Sequence, residues 1–540
     1  MVLRGPRLAR RSQDPPTHPA LTPPIPTPTI YPSLPQHPAS LAQLVEQLIC
    51  NQQVIGSSPI AGSNFLAPGA RKFPCDSTDM NTPPEHVDIL ILGSGGGTKL
   101  ALPAAELGLR VALVEDDAFG GTCLNRGCIP SKMLIYPAEV AELARAAAHL
   151  GIGNIENPHP DFAAIIPRIT TAVAATSHQN QSTHDQHPRI QVLRGHARFI
   201  DNQTVAIGDC TITAKQVFIA TGTRPQIPDI PGLAGSPFMT STDALRNTTI
   251  PKRLLVLGGG YIAAELGFAY GAFGADVHLL MRSTLLRHED ADIAAEFARV
   301  FGRRHHLHPS VTVERVHRRE GQFTVDYRDH AGTHASLTGD ALLVATGVSP
   351  NTDDLGLENT SIQRSPEGFL MVDDHLGTSA EGVYALGDCI GRHLFRHTVN
   401  YEGEYLMRTA VRGLDNLPLD YGPVPHAVFS HPQIAGVGPT EDALRARGVD
   451  IIVGRATYAD STPGEARLLD HGLVKILIDR ATDRILGAHV VGAEAASMIH
   501  LFIGLMKKSG TLADLLDMIF IHPALPEVAR NAARDAAQRR

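Results

Sequence analysis

Cys123 and Cys128 stand with four residues between them in the run 120–132, Gly-Gly-Thr-Cys-Leu-Asn-Arg-Gly-Cys-Ile-Pro-Ser-Lys. A thiol pair this close can shut into a small disulfide ring and reopen as a dithiol. It can therefore take up two electrons and pass them to another disulfide. The bland alternative is a disulfide that only stabilises the fold.

Chemistry of that kind needs an electron donor, and the flanking segments predict how one is held. The apolar run 87–92 leads into Gly93-Ser94-Gly95-Gly96-Gly97-Thr98, then a helical stretch, then the apolar run 111–115. A buried parallel strand entering a glycine turn and a helix lets backbone approach a pyrophosphate at the helix N-terminus. Gly93, Gly95 and Gly97 are the predicted cradle, and Glu115 stands where an acid binds an adenosine ribose. Thr98 occupies the third-glycine position, which predicts looser helix–strand packing there.

The same unit recurs. The run 253–257 enters Gly258-Gly259-Gly260-Tyr261, and a second strand ends at Met281 and Arg282. Met281 replaces the ribose-binding acid, and Arg282 and Arg287 follow. Two guanidiniums without a carboxylate favour a 2′-phosphate, hence NADPH over NADH. The alternative is a solvated basic turn with NADH used. The runs 216–220 and 341–345 each end in Ala-Thr-Gly, at Thr221-Gly222 and Thr346-Gly347. They read as the crossings into and out of the second unit.

A chain of 540 residues that is 43% hydrophobic has ample material for several cores, and three or four domains are expected. A net charge of −8 argues against nucleic acid as a partner. No apolar run reaches transmembrane length, so no membrane role is expected. Six scattered cysteines are too few for a disulfide-stapled secreted protein and suit a reducing, cytoplasmic setting. The run 303–308, Arg-Arg-His-His-Leu-His, reads as a polar surface turn, and no Cys/His cluster with metal-ligand spacing is expected. Residues 1–79 are rich in Pro and lack a hydrophobic period, so they predict a disordered leader. The stretch 42–60 resembles the translation of a tRNA gene, and the native start is expected at Met80; a real disordered extension is the alternative.

With these motifs, residues 85–540 resemble the class I pyridine nucleotide–disulfide oxidoreductases. That family includes dihydrolipoamide dehydrogenases and the glutathione, mycothione and mercuric reductases. The resemblance implies an α/β fold of two Rossmann-like dinucleotide-binding domains, for FAD and NAD(P), plus a C-terminal α+β dimerisation domain. The expected boundaries are 80–228 for the first part of the FAD domain and 229–347 for the NAD(P) domain. The second part of the FAD and central domain follows at 348–422, and the dimerisation domain at 423–540.

The resemblance also assigns roles. Cys128 is the flavin-facing thiolate and Cys123 the interchange thiol. Lys132 lies near the flavin and pairs with Glu265, and Tyr261 gates the nicotinamide pocket. The run 378–388 resembles the family's second FAD motif, in which Asp388 binds the ribityl chain. Gly121, Thr122, Thr221, Gly222, Gly258, Gly260 and Gly347 are expected against the cofactors. His522 with Glu527 matches the acid–base pair that serves the partner's disulfide in an obligate homodimer.

Stretches 128–133 with 138–141, 262–265, 285–288, 427–429 with 432–435, and 521–528 look most similar to mycothione reductases. Ala524 is shared with that group, whereas Arg126 and Val348 depart from commoner residues. A low-molecular-weight disulfide is the expected substrate. The alternative is lipoamide, with NAD, as the dihydrolipoamide dehydrogenase component of a 2-oxo acid dehydrogenase complex. Mercuric reduction is disfavoured, because no Cys follows Cys389.

Overall fold

The apolar run at 87–92 does become a strand, buried on both faces as a central parallel strand must be. In the computed structural model, residues 85–153 and 160–540 are described. The leader 1–79 and the expected start at Met80 lie outside them.

Strands β1 (Glu85–Leu92), β2 (Val111–Glu115), β3 (Ile190–Arg194), β4 (Ala197–Phe199), β5 (Thr204–Ile207) and β6 (Cys210–Ile219) form one sheet in the order β3-β2-β1-β6-β5-β4. Helix α1 (Ser94–Glu106) follows β1. Next to the sheet come the short α2 (Gly121–Arg126) and α3 (Cys128–Ala146), which carry the two cysteines. Buried Leu90, Ile91, Leu113 and Phe218 are part of this sheet's core.

Strand β7 (Thr223–Pro225) leads away from it. Strands β8 (Arg253–Leu257), β9 (Asp276–Leu280) and β10 (His306–His308) then begin a second parallel sheet, with α4 (Tyr261–Ala272) between β8 and β9. An antiparallel meander, β11 (Thr312–Arg319), β12 (Gln322–Arg328) and β13 (His334–Gly339), precedes β14 (Ala341–Val344). The second sheet runs β10-β9-β8-β14. Strand β15 (Val348–Pro350) then pairs antiparallel with β7, so the two crossings between nucleotide units lie side by side. Strand β16 (Val383–Ala385) returns to the first sheet beside β6. A last antiparallel sheet is built from β17 (Pro425–Val428), β18 (Gln433–Val437), β19 (Ile451–Thr457), β20 (Leu473–Asp479) and β21 (Ile485–Gly492). Helix α5 (Glu527–Gln538) packs against it through Val528, Ala529, Ala532 and Ala533.

The two nucleotide units share one close approach. Gly93 and Gly258 both have positive φ, at 99° and 133°. A Cβ on Gly93 would strike the Ala220 carbonyl, and one on Gly258 would strike the Ala345 carbonyl. Those carbonyls belong to the two Ala-Thr-Gly crossings, so each glycine turn is wedged against the crossing of its own unit.

Three expectations are corrected. Packing is not loosened at Thr98, which is only half buried and donates its hydroxyl to the Gly95 carbonyl at 3.3 Å. The tight helix–strand contact falls instead on Gly97, where a Cβ would collide with the Ile91 side chain. The run 303–308 is not wholly a surface turn. His305 is buried against Phe301, and His306–His308 pairs in register with β9. Three side chains able to hold a metal ion, Asp276, His278 and His306, also converge where the sequence spacing predicted no such cluster.

Candidate active site

The sequence brings Cys123 and Cys128 together through a tight corner. Gly127 separates α2 from α3, and a Cβ there would press 3.0 Å from the Thr122 carbonyl oxygen. Both cysteines are free thiols and hydrogen-bond to each other. That bond lowers the Cys128 pKa to about 7 against the opposing effect of burial, with the Lys132 ammonium adding to the fall. The same bond, with burial, pushes Cys123 well up. Cys128 also begins α3, and a helix N-terminus favours a thiolate. The pair is thus built asymmetrically, with Cys128 the thiolate and Cys123 the thiol that donates to it.

Lys132, one turn into α3, meets Glu265 of α4. Its Nζ is 2.9 and 2.8 Å from the two carboxylate oxygens. Glu265 is buried and also accepts from the Phe429 N–H at 3.0 Å. Burial raises its pKa, opposed by Lys132 and by that N–H. The Lys132 ammonium lies 4.5 Å over the Phe429 ring. One ion pair therefore ties together both nucleotide units and the connection between β17 and β18 of the last sheet.

These groups line a single cavity of about 650 Å³, within the range of cofactor pockets, about 300–1,000 Å³. Gly93, Gly95, Glu115, Gly121 and Thr122 line it together with the two cysteines, Lys132, Thr221 and Gly222. Tyr261, Glu265, Gly347 and Asp388 complete the predicted set within it. Glu115 is buried and accepts from the Ser94 N–H at 2.9 Å and from the Ser94 hydroxyl. Asp388 sits where β16 gives way to a short turn of helix and accepts from the Thr223 hydroxyl at 3.3 Å. Burial raises its pKa, opposed by Thr223 and Arg396. A carboxylate at each of two points along a cavity, with glycine backbone between, suits a ligand with a ribose, a pyrophosphate and a polyol chain. The residues fit FAD.

Other predicted residues lie elsewhere. Gly97, Gly258, Gly260, Arg282 and Arg287 are not part of the cavity lining. Gly97 is buried, and a Cβ there would collide with the Ile91 side chain of β1. Arg282 and Arg287 are exposed beyond the end of β9, while the Met281 side chain packs 3.0–3.5 Å from where a Cβ on Gly259 would stand. His522 and Glu527 are also outside the cavity. His522 Nδ1 lies 3.0 and 3.2 Å from the Glu527 carboxylate oxygens, and its side chain is 65% exposed. Burial would raise the Glu527 pKa. The Ala524 N–H, His522 and Arg530 outweigh it and hold the carboxyl below its ordinary value. In the same tail Ile519 is wholly exposed and Ile521 nearly so.

Sequence reasoning missed Arg396. Its Nη1 donates to the Gly95 carbonyl at 2.7 Å, and its charge acts on both Cys123 and Asp388. No motif marks it, since the contact spans most of the chain.

The family model described as pyridine nucleotide-disulphide oxidoreductase matches residues 87–411, and that of its dimerisation domain matches 424–533. A mycothione reductase of Mycobacterium tuberculosis is 35% identical over 461 residues, covering 83% of this chain and 99% of that protein. A dihydrolipoyl dehydrogenase of Rhizobium etli is 33% identical over 477 residues, covering 84% of this chain and 98% of that protein. Among solved structures, a Cu(II) complex of the HOCl-induced flavoprotein disulfide reductase RclA from Escherichia coli is similar, with a TM-score of 0.75. It is 30% identical, covering 84% of this chain and 100% of that one.

Proposed function

Because the chain belongs to the pyridine nucleotide–disulphide oxidoreductase family, we propose that it reduces a low-molecular-weight disulfide of the mycothione type with NADPH. The protein is an oxidoreductase acting on sulfur groups, its family uses FAD and NAD(P)H, and its dimerisation domain supports a homodimer.

One observation carries the proposal. The asymmetric thiol pair opens onto the same cavity as the FAD cradle and the Lys132–Glu265 pair. When bound, FAD and NAD(P)H supply an electron pair to the disulfide form of Cys123 and Cys128. Once the pair is reduced, Cys123 gives its proton to His522 of the partner subunit and attacks the substrate disulfide as a thiolate, so that one sulfur–sulfur bond forms as another breaks. His522 of the partner subunit protonates the leaving thiolate. Cys128 then attacks the Cys123 sulfur, re-forms the internal disulfide and releases the second thiol. Glu527 orients the imidazole and stabilises its protonated form. The exposure of His522 in this subunit supports a role across the dimer. The division at 228/229, 347/348 and 422/423 into FAD, NAD(P), central and dimerisation domains belongs to the same reading, as does a cytoplasmic setting. No helix among the described residues is long and apolar enough to cross a membrane.

Lipoamide is the second reading, supported by the similarity to dihydrolipoyl dehydrogenase. A panel of oxidised thiols and lipoamide, each assayed with NADPH and NADH, decides between them. The proposal expects the highest kcat/KM with mycothione and NADPH. A preference for lipoamide with NADH would replace it.

A further inference from the structure

The outer edge of the second sheet carries imidazoles that the thiol chemistry does not use. Asp276 and His278 alternate on β9, and His306 and His308 alternate on β10, so each pair shares a face of its strand. The strands pair in parallel with His306 opposite His278, and β10 is the last strand on that side.

The side chains converge. Asp276 Oδ2 lies 3.2 Å from His278 Nε2, and Asp276 Oδ1 lies 3.2 Å from His306 Nε2. One donor atom from each of the three residues falls within 4.8 Å of the others. In a tetrahedral site with bonds of about 2.0–2.1 Å, neighbouring donor atoms stand about 3.3 Å apart. Small rotations of the stacked His278 and His306 rings, 4.2 Å between centroids, would close the set.

Two further features suit an ion. His278 Nδ1 lies 3.2 Å from His308 Nε2. With its Nδ1–H donated to His308, His278 presents the Nε2 lone pair towards Asp276, the arrangement by which an outer partner aims a ligating histidine. Arg253 holds Asp276 Oδ2 at 2.7 Å, which leaves Oδ1 for the ion.

We propose that Asp276, His278 and His306 bind a divalent first-row transition-metal ion of the zinc type, with His308 aiming His278. Imidazole and carboxylate donors suit that class, and the ion would pin edge strand β10 to β9.

The test uses the untagged, FAD-loaded protein with its Cys123–Cys128 pair oxidised, so that those thiols do not compete. Calorimetric titration with Zn²⁺ should show one equivalent bound, and Zn²⁺ should raise the thermal midpoint. H306Q and D276N should each weaken binding by at least about tenfold and abolish the thermal shift. Their flavin content and disulfide-reductase turnover should match the parent protein. Absence of saturable binding to the parent protein, or unchanged affinity in both variants, would overturn the proposal.

Discussion

Lys132 and Glu265, 133 positions apart in sequence, form a two-pronged ion pair with both N–O distances under 3 Å. The pair joins the helix that starts at Cys128 to the helix that starts at Tyr261. Its ammonium stands one helical turn from the thiolate that it helps to stabilise.

That placement sets the reactivity of Cys128. In K132M the hydrogen bond from Cys123 remains but the cation is gone, so the Cys128 pKa should rise above about 7. Alkylation of Cys128 in the reduced protein, followed by mass spectrometry across pH, should slow by about tenfold at neutral pH. An unchanged pH profile would show that Lys132 has no electrostatic part in the pair.

The proposed composite site, with His522 serving the partner's thiols, is open to complementation. H522A and C123S should each lose most disulfide reduction, by about 10²–10⁴-fold for the acid–base group. When the two are unfolded together and refolded, mixed dimers regain one intact site, and activity should reappear in the mixture. If His522 served its own subunit, mixing would restore nothing.

We propose that Arg282 and Arg287 carry the choice of nicotinamide. The double variant R282A/R287A should raise KM for NADPH by tenfold or more, since a charge-assisted hydrogen bond contributes about 1.5–3 kcal/mol. KM for NADH should change little. Equal effects on both cofactors would mean that these arginines do not meet a 2′-phosphate.

Much of this site could be read from sequence because each motif is local. The glycine turns, the cysteine pair and Lys132 each depend on neighbours within a few residues. Glu265 was legible through the family resemblance rather than from its neighbours alone. The parts missed depend on distant pairing. Arg396 reaches the Gly95 carbonyl from a helix of the returning chain. Gly97 rather than Thr98 takes the tight contact because the helix turns that face towards Ile91. The 303–308 run looked like a turn because its charges hid a short edge strand whose partner lies about 30 residues earlier.

The residue just before that strand brings a pH dependence. His305 is buried, and burial lowers its pKa to about 3. Its folded pKa lies below its unfolded value, so the unfolded chain binds the extra proton. The stabilisation is therefore whole above about pH 6.5 and is lost as pH falls towards 3. Thermal midpoints of the FAD-loaded protein should decline across that window, and H305L should decline less. Parallel curves for the two proteins would remove His305 as a source of acid sensitivity.

The measurement that reaches the core of the account is turnover of a disulfide substrate by C123S and C128S, with bound flavin counted in the same samples. Both variants should keep the parent's FAD content and yellow colour while reduction falls by at least about 10³-fold. Parent-like turnover in either one would contradict the passage of electrons through this pair.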